Sequence, residues 1–366
     1  MGFRLRWLCA VATAAALGMT SVACGADKSG SSAASSADSA APTAPTPSGL
    51  TGTWKADPGQ ADRVQQKLTA KGFQCSRSSE THLDLRLCSA SKRSKDAWGD
   101  ETIGQGVLRY VSDAQGTVVF FNMWTAGIDS DKRAYSKMLA EAVLPATDAA
   151  VYTAGGDKLE WGTVAGYGDG SSYIAAKGWT PAQSLTPSAM PLKVTKEKAL
   201  APLQAAKLEC KFSDSDAWAN ERKAVACTDP AYKVKDPDGS IEGAIAELAA
   251  VDAGPGISSV QLYGAHSKAM TENIRGVKLL IPRAAAIDPS LKVATTWLDK
   301  NLDGLPHAAY VGPWLVRTTV ALGGGIADWP FVRAAIELEK PNLGLKIKTS
   351  SDGPGESDSA SDTPSN

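Results

Sequence analysis

Two short segments that each end in a cysteine, Gly72-Phe73-Gln74-Cys75 and Leu85-Arg86-Leu87-Cys88, decide the fold of the first half of the chain. Apolar and polar residues alternate in them, as is typical of β-strands, and the polar residues between them predict a turn. The pattern recurs in the second half as Lys207-Leu208-Glu209-Cys210 and Ala224-Val225-Ala226-Cys227. We therefore predict two hairpins, each with a cysteine in both of its strands.

The elements around these hairpins also recur, which indicates an internal duplication. The shared order is a helix, the cysteine hairpin, a second hairpin, a second helix and a late β segment broken by glycines. In the first half the pattern predicts these elements at 62–71, 72–88, 107–124, 131–143 and 161–170. In the second half it predicts them at 196–207, 207–227, 245–263, 267–280 and 314–325, with an additional helix at 291–302.

Proline placement sets the end of the second helix in each half. Pro145 follows the first of these helices and Pro282 follows the other. Because a proline just beyond the last helical residue is a stop signal, we expect neither helix to continue past it.

The duplication predicts two tandem homologous α+β domains, at 50–182 and 193–340, joined by a Pro/Ser-rich linker at 183–192. Strands that connect as hairpins, rather than through βαβ crossovers, form antiparallel sheets. We therefore expect each domain to be an antiparallel sheet with helices packed on one face and one disulfide within the domain.

The N-terminus has the pattern of an export signal. Arg4 and Arg6 precede an uncharged apolar segment at 7–17, and Ser21-Val22-Ala23-Cys24 forms a cleavage region. This region resembles the lipobox of secreted bacterial lipoproteins of the actinobacterial type. The resemblance implies that residues 1–23 are a signal peptide and that Cys24 becomes an N-terminus lipidated on its thiol, with palmitate as an expected acyl chain.

Ordinary secretion is the alternative. Ser21 stands where a lipobox usually has leucine, and Ser21-Val22-Ala23 also fits the small-x-small site of a cleaved signal peptide. The apolar segment is too short to span a bilayer, which takes about twenty residues. The expected location is the outer face of the cytoplasmic membrane, held by lipid, or else the medium.

Two terminal segments have the composition of disordered chain, a Ser/Ala/Pro tether at 24–49 and an acidic tail at 341–366. Both have too few large apolar residues to offset the entropy of ordering. The formal net charge of −1 argues against a nucleic-acid partner, which needs a concentrated basic face. We interpret the one basic cluster, Lys92-Arg93-Ser94-Lys95, as a solvated loop, with contact to anionic envelope polymers or lipid headgroups as the alternative.

The six cysteines have different expected roles, according to their positions in the sequence. Cys9 leaves with the signal peptide and Cys24 is the expected lipidation site. The four that remain are Cys75, Cys88, Cys210 and Cys227. An even number in an oxidising compartment indicates disulfides, and we predict that the first two pair with each other and the last two likewise, because each pair falls at the same place in the repeat.

A zinc site is the alternative for these cysteines. Neither pair has C-x-x-C spacing, and the three histidines, His82, His266 and His307, are scattered along the chain. We therefore predict no metal site and no cofactor.

No catalytic residue is predicted. Ser89-Ala90-Ser91-Lys92 matches the S-x-x-K of penicillin-interacting enzymes, but the companion motifs are missing and we attribute the match to chance. The histidines have no nucleophile near them in sequence, and we interpret them as exposed or structural. Eight tryptophans could line a ligand face, although burial in the core is favoured; they are Trp98, Trp124, Trp161, Trp179, Trp218, Trp297, Trp314 and Trp329.

These observations predict a lipid-anchored surface protein without catalysis that binds or scaffolds an extracellular or envelope partner, a protein or a cell-wall polymer. Both halves are expected to contribute to its binding surface. The alternatives are a solute-binding lipoprotein of a transporter, whose lobes are usually rich in βαβ units, and an envelope hydrolase whose site assembles from distant residues.

Replacing Cys24 tests the anchor. We expect Cys24→Ala to leave the membrane fraction, because the variant lacks the thiol that would carry the lipid. Fractionation of expressing cells followed by immunoblotting measures this. Cys9→Ala is the matched control and should remain with the membrane; a Cys24→Ala protein that remains there equally well would show the anchor prediction to be wrong.

Overall fold

The computed structural model describes residues 53–79, 84–168, 171–179, 192, 194–213, 224–232, 245–252, 256–265, 269–322 and 330–338. All of them belong to one compact unit, Pro45–Asn366. The predicted signal peptide, tether and acidic tail lie outside the described residues, as do His82, His266, Trp218 and Trp329. Of the predicted linker only Leu192 is described, and it forms a β-bridge with Ile257.

The first half contains helices and a six-stranded sheet. In chain order its described elements are α1 (Gln60–Ala70), β1 (Gln74–Arg77), β2 (Asp84–Lys95), β3 (Glu101–Ser112), β4 (Val118–Ala126), α2 (Asp129–Val143), α3 (Ala146–Thr153), β5 (Gly162–Gly168) and β6 (Ser171–Ala176). The strands lie in the order β1-β2-β3-β4-β6-β5. Helix α2 ends before Pro145 as expected, whereas α3 directly after that proline was not predicted.

The second half contains helices and a seven-stranded sheet. Its described elements are α4 (Lys196–Ala205), β7 (Glu209–Ser213), β8 (Ala224–Thr228), β9 (Ile245–Asp252), β10 (Ile257–Ala265), α5 (Met270–Ile287), a 3-10 turn (Pro289–Leu291), α6 (Lys292–Lys300), β11 (Ala308–Val311), β12 (Trp314–Ala321) and β13 (Phe331–Leu338). The strands lie in the order β7-β8-β9-β10-β13-β12-β11.

The two sheets follow the same path. In each, four consecutive strands are antiparallel neighbours, a helix follows, and the last strand returns beside the fourth, so that β6 pairs with β4 and β13 with β10. The second half adds α6 and the edge strand β11. The predicted α+β class with antiparallel sheets is confirmed, while descent of the halves from one duplicated ancestor stays a prediction.

The helices of the first half pack on one face of their sheet. Val64 and Leu68 lie one turn apart on α1 and are buried, as the 3.6-residue period of an amphipathic helix requires. With Leu139 of α2 they form a core against Leu108 and Phe121 of the sheet.

The second half repeats this packing. Leu203 of α4 and the α5 residues Val277 and Leu280 form a core with Val260 and Val316 of the sheet. The alternating side-chain direction of the strands therefore leaves the other face of each sheet free of this helical core.

Both disulfides are present, and each joins the first two strands of its sheet. Cys75 lies directly opposite Cys88, and Cys210 lies directly opposite Cys227. The bonded cysteines are 13 and 17 residues apart in sequence. Loops of this size stabilise a fold by about 3 kcal/mol in the chain-entropy model, by restricting the unfolded chain.

Pro282 does not end the second helix of the second half, so that prediction is wrong. Helix α5 continues through it to Ile287. A proline inside a helix lacks one backbone hydrogen bond and costs about 3 kcal/mol. Leu280 and Ile281 before it, and Ala284 and Ile287 after it, are all buried, and this apolar packing outweighs the cost.

The basic cluster at 92–95 is not a loop, so that interpretation is also wrong. Strand β2 extends to Lys95, which pairs with Glu101 of β3. Lys92 Nζ lies 2.8 Å from Asp131 Oδ1 on α2, and Ser94 Oγ donates a hydrogen bond to Asp131 Oδ2 at 2.6 Å. The cluster attaches the first turn of α2 to the sheet, a role that the local sequence pattern did not indicate.

A glycine makes this attachment possible. A Cβ at Gly104 of β3 would lie 2.8 Å from the carboxyl carbon of Asp131. Because Gly104 has no side chain, the buried carboxylate packs directly over the strand.

Stability should therefore depend on the charge of Asp131. Burial acts to raise the pKa of this carboxyl, but the hydrogen bonds from Lys92 and Ser94 and the charge of Lys92 outweigh burial and lower the pKa. A group with a lowered folded pKa stabilises the fold above its unfolded pKa of about 3.9, and this contribution is lost as the pH falls through the folded value.

We expect Asp131→Asn to lower the free energy of unfolding by about 1–2 kcal/mol at neutral pH, since Lys92 is partly exposed to solvent. The difference from the wild type should shrink in acid. Urea unfolding at neutral and acidic pH measures both effects. Asp129→Asn, at an exposed position of the same helix turn, is the control, and equal losses in the two variants would contradict the assignment.

Candidate functional site

The two sheets pack against each other through the faces that point away from their helices. Leu87, Val107 and Phe120 of the first sheet share one apolar cluster with Tyr310 and Leu315 of the second. The described chain is therefore layered as helices, sheet, sheet and helices.

Strand β11 makes the closest contact between the sheets. It is the edge strand of the second sheet and lies against β1 and β2. Ser89 Oγ donates a hydrogen bond to the Ala308 carbonyl at 2.8 Å and accepts one from the Ala308 N–H at 3.2 Å. The Tyr310 N–H donates to Ser76 Oγ at 2.8 Å. The two serines thus satisfy backbone groups that an edge strand otherwise leaves unpaired.

Beside this contact a cavity of about 400 Å³, partly open to solvent, lies between the sheets and is here called the inter-sheet cleft. This volume lies in the range of roughly 300–1,000 Å³ that is typical of small-molecule sites. Polar and aromatic residues of the first sheet that line it are Gln105, Arg109, Asn122, Trp124, Ser171 and Tyr173. Those from the second half are His307, Arg317, Thr318, Thr319 and Glu337.

Strand register places a polar row on the first wall. Arg109 lies opposite Asn122 in the β3–β4 pair, and Asn122 lies opposite Tyr173 in the β4–β6 pair. Directly opposed residues project from the same face with Cβ atoms about 5 Å apart. One row therefore places a guanidinium, an amide and a phenol along this wall of the cleft.

An ion-pair cluster forms the second wall. Arg317 Nη2 donates to Glu337 Oε2, and Arg333 Nη2 lies 3.6 Å from Glu337 Oε1. The Nε atoms of both arginines are buried and have no hydrogen-bond partner among the described residues. One carboxylate is thus shared by two guanidinium groups.

His307 lies at the edge of the cleft, and both its backbone and its ring take part in hydrogen bonds. Its backbone N–H donates to Thr318 Oγ1 at 2.7 Å, and its Nε2 lies 2.9 Å from Asp303 Oδ1. Burial acts to raise the pKa of Asp303, but the hydrogen bonds from His307 and from the Leu305 backbone outweigh burial and lower it. Of the three histidines, His307 is the one that lies in the described part of the chain, and it lines the cleft.

The S-x-x-K residues cannot act together. Ser89 faces the second sheet and is bonded to Ala308, whereas Lys92 faces α2 and pairs with Asp131. Residues three apart on a strand point to opposite faces, so this spacing separates the hydroxyl from the amine.

The tryptophans divide between core and surface. Trp179 and Trp314 are buried, as favoured from the sequence, while Trp124 lines the inter-sheet cleft. Trp98, in the turn between β2 and β3, is 87% exposed. Trp161 and Trp297 pack against the cores as partly buried side chains.

Another charge cluster, buried at Arg86 and Asp84, lies on the helix side of the first sheet. Arg86 donates to Asp84 at 3.0 Å and also to Asp62 of α1, and Ser112 Oγ donates to Asp84. Burial acts to lower the pKa of Arg86, but its bonds to the two aspartates outweigh burial and raise it. These charges are engaged with one another and attach α1 to the sheet.

A second cavity, of about 820 Å³, lies beside α1 and the junction of α2 with α3. Arg63 at its edge pairs with Asp57, and Asp148 accepts backbone hydrogen bonds from Glu160 at 3.0 Å and Trp161 at 2.7 Å. These charged groups are engaged in contacts that hold neighbouring segments together. The inter-sheet cleft is therefore the stronger candidate for a ligand-binding site.

Within the described ranges, no three His, Cys, Asp or Glu side chains are grouped closely enough to hold a metal ion. Among the helices that the structure describes, none has both the length and the apolar character needed to cross a membrane. Comparison with protein-family models, curated proteins and solved structures finds no match to this chain.

Sequence reasoning missed the charged residues of the cleft, although one signal was present. Arg109 interrupts the apolar run Val107-Leu108-Arg109-Tyr110-Val111. Such a run predicts a strand buried on both faces, where a charged residue indicates a polar site. Arg317 in Trp314-Leu315-Val316-Arg317 gives the same signal.

Ser89 should be important for holding the sheets together. We expect Ser89→Ala to lower the free energy of unfolding by about 1–3 kcal/mol, because Ala308 loses the partner of two buried backbone groups. Urea unfolding measures the loss. Ser130→Ala, at an exposed position of α2, is the control, and an equally small effect of both substitutions would show that Ser89 does not stabilise the contact.

Proposed function

We propose that this is a non-catalytic, lipid-anchored surface protein that binds a small polar ligand in the inter-sheet cleft. The observation that carries the proposal is the cleft itself, which has an appropriate volume and walls from both halves of the chain. Its location at the outer face of the cytoplasmic membrane rests on the lipobox resemblance at Cys24.

The composition of the cleft suits ligand binding. Leu87, Val107 and Leu315 give it an apolar part next to the contact between the sheets. The polar groups of both walls supply hydrogen-bond donors and acceptors. Binding sites for small molecules combine apolar surface with a few placed polar groups in this way.

The hydroxyl groups near His307 support binding rather than hydrolysis. A serine or threonine nucleophile needs a base within hydrogen-bond reach. Thr318 Oγ1 donates to the Leu305 carbonyl at 3.1 Å, and Ser89 Oγ donates to the Ala308 carbonyl. Both hydroxyl protons are directed at backbone carbonyls, and His307 Nε2 is directed at Asp303.

The packing of the sheets favours a small ligand over a macromolecular partner. The sequence predicts that both halves contribute to one binding surface. In the structure, the sheet faces of the two halves that lie away from the helices pack against each other. This favours the solute-binding alternative for the cleft, while a partner elsewhere on the surface remains a separate proposal.

Filling the cleft tests the proposal. Thr319 is exposed and lines the cavity, so Thr319→Trp should obstruct it with little cost to the cores; Thr69→Trp, at an exposed position of α1, is the matched control. The probes are glucose, glucuronate, alanine, glutamate and dialanine, measured by calorimetric titration of the mature protein.

We expect saturable binding of at least one probe, weakened about tenfold or more by Thr319→Trp and unchanged by the control, where tenfold corresponds to about 1.4 kcal/mol. Binding that Thr319→Trp leaves unaffected would place the site elsewhere. Turnover of a probe would contradict the non-catalytic part, and lack of any binding would favour a macromolecular partner.

A further inference from the structure

The exposed lining of the second cavity, beside α1 and the junction of α2 with α3, is basic. Lys55, Lys67 and Lys177 are exposed residues of this lining, and we call them the lysine rim. Among the described residues, none of the three ammonium groups has an ion pair or a hydrogen bond. The buried part of the lining is instead apolar, with Val64, Val118, Val143 and Leu144.

The acids of the same lining balance these lysines only in part. Counted in full, four basic and three acidic side chains line the cavity. Arg63 and Asp57 pair with each other, and Asp148 is buried and bonded to two backbone N–H groups. The side chain of Glu160 is exposed and has no partner among the described residues. The exposed charges that are not already engaged are therefore the lysine rim and one carboxylate.

The cavity lies where the predicted N-terminal tether joins the folded body. Thr53, the first described residue, is part of the lining. Trp54 Nε1 donates to Asp113 Oδ2 at 2.9 Å, and the Asp57 N–H donates to Thr117 Oγ1 at 3.0 Å. These bonds attach the start of the body to the turn between β3 and β4, so the chain enters at this end of the first sheet.

A lipid on Cys24 would keep this end of the body close to the bilayer. About 30 residues separate Cys24 from Thr53, and a flexible chain of that length has a root-mean-square end-to-end distance of roughly 30 Å. Lysines are attracted to an anionic bilayer within about one Debye length, roughly 8–10 Å. The anchor therefore brings a basic surface within reach of lipid headgroups.

From the charge and the position of the lysine rim we propose that the second cavity docks on the bilayer by binding the phosphate group of an anionic lipid, an inference that rests on the anchor in the proposed function. Ammonium groups bind phosphate as point charges. The apolar part of the lining suits the hydrocarbon next to that phosphate.

The contact orients the tethered body rather than anchoring it. Each lysine near an anionic bilayer strengthens binding roughly fivefold, and salt screens this attraction. Three lysines without a lipid chain give a weak, reversible contact, so Cys24→Ala should still leave the membrane fraction.

Two other surface features fit a membrane contact less well. Lys92 and Arg93 of the basic cluster are engaged by Asp131 and Glu101. Trp98 is exposed, but its turn precedes β3, whereas the lysine rim lies near the turn that follows this strand. The 12 residues of β3 separate the two turns by about 40 Å.

The rate of lysine acetylation on vesicles tests the proposal. The thiol of Cys24 in the mature chain, residues 24–366, is coupled to a maleimide lipid, since the cysteines of the folded body are held in disulfides. This coupling provides the tether whether or not cells acylate Cys24. The vesicles contain phosphatidylcholine alone or with an equal part of phosphatidylglycerol, and peptide mass spectrometry follows each lysine.

We expect the lysine rim to react about threefold or more slowly on the anionic vesicles than on the neutral ones, and to regain its rate at high salt. Lys278, Lys292 and Lys300, which are exposed on α5 and α6, are internal controls and should react equally on both. Equal rates of the lysine rim on the two vesicles, or equal slowing of the control lysines, would overturn the inference.

Substitutions within the lining should act in opposite directions on the protection of Lys55. Lys67→Gln combined with Lys177→Gln should abolish the protection, because two of the three attracting charges are gone. Glu160→Gln should increase it, because the repelling carboxylate is removed. Protection that the double variant retains, or that Glu160→Gln lowers, would contradict the proposal.

Two control variants locate the contact. Lys292→Gln combined with Lys300→Gln removes the same charge from the second half, and Trp98→Ala removes the exposed tryptophan. Both should leave Lys55 protected. Loss of protection in either would place the membrane contact outside the second cavity and overturn the inference. A urea transition checks that each variant is folded.

The outcomes separate this inference from the proposed function. Equal protection of the lysine rim by glycerol phosphate without vesicles would identify a soluble phosphate ligand and overturn the docking. An unprotected lysine rim leaves ligand binding in the inter-sheet cleft standing, because the calorimetric titrations address the other cavity. Failure of every cleft probe leaves the docking standing, because the vesicle experiment needs no cleft ligand. Retention of Cys24→Ala in the membrane fraction would remove the anchor on which the docking depends.

Discussion

The arrangement of the whole molecule depends on how the edge strand β11 is bonded to the first sheet. An edge strand that faces another sheet brings backbone groups into a dry contact, where each unpaired group is costly. Here Ser89 and Ser76 provide the missing partners, so apolar side chains of both sheets can pack beside the strand without leaving Ala308 or Tyr310 unsatisfied. The relative position of the sheets, and with it the shape of the inter-sheet cleft, follows from these bonds.

Much of the fold could be predicted from local patterns, because those patterns act over a few residues. Apolar alternation around the cysteines defines the first hairpin of each half, and the 3.6-residue period defines α1. The errors occur where distant packing overrides a local rule. Pro282 should end a helix, but the buried residues on both sides of it belong to a core assembled from the whole second half. The basic cluster at 92–95 looks solvated until α2, which comes later in the chain, supplies Asp131.

The cleft could be predicted only in small part. Its walls come from halves of the chain that hold Arg109 and Arg317 about 200 positions apart, and their proximity depends on a contact between sheets that no short pattern encodes. What the sequence does show is the anomaly of a charged residue inside an apolar strand. Such a residue is tolerated where partners or solvent are available. The carboxylate of Glu337, which both Arg317 and Arg333 contact, is one such partner.

The disulfide arrangement has a consequence for how the chain matures. Each bond joins cysteines that are consecutive among those of the folded body, 13 and 17 residues apart. If the chain is exported N-terminus first, Cys88 emerges while Cys75 is its only available partner within that body, and the second pair emerges later. An oxidase that links cysteines in order of arrival then produces the native connectivity directly. Such a chain has little need of a disulfide isomerase, and its yield in an oxidising compartment should be limited by assembly of the sheets rather than by sorting of thiols.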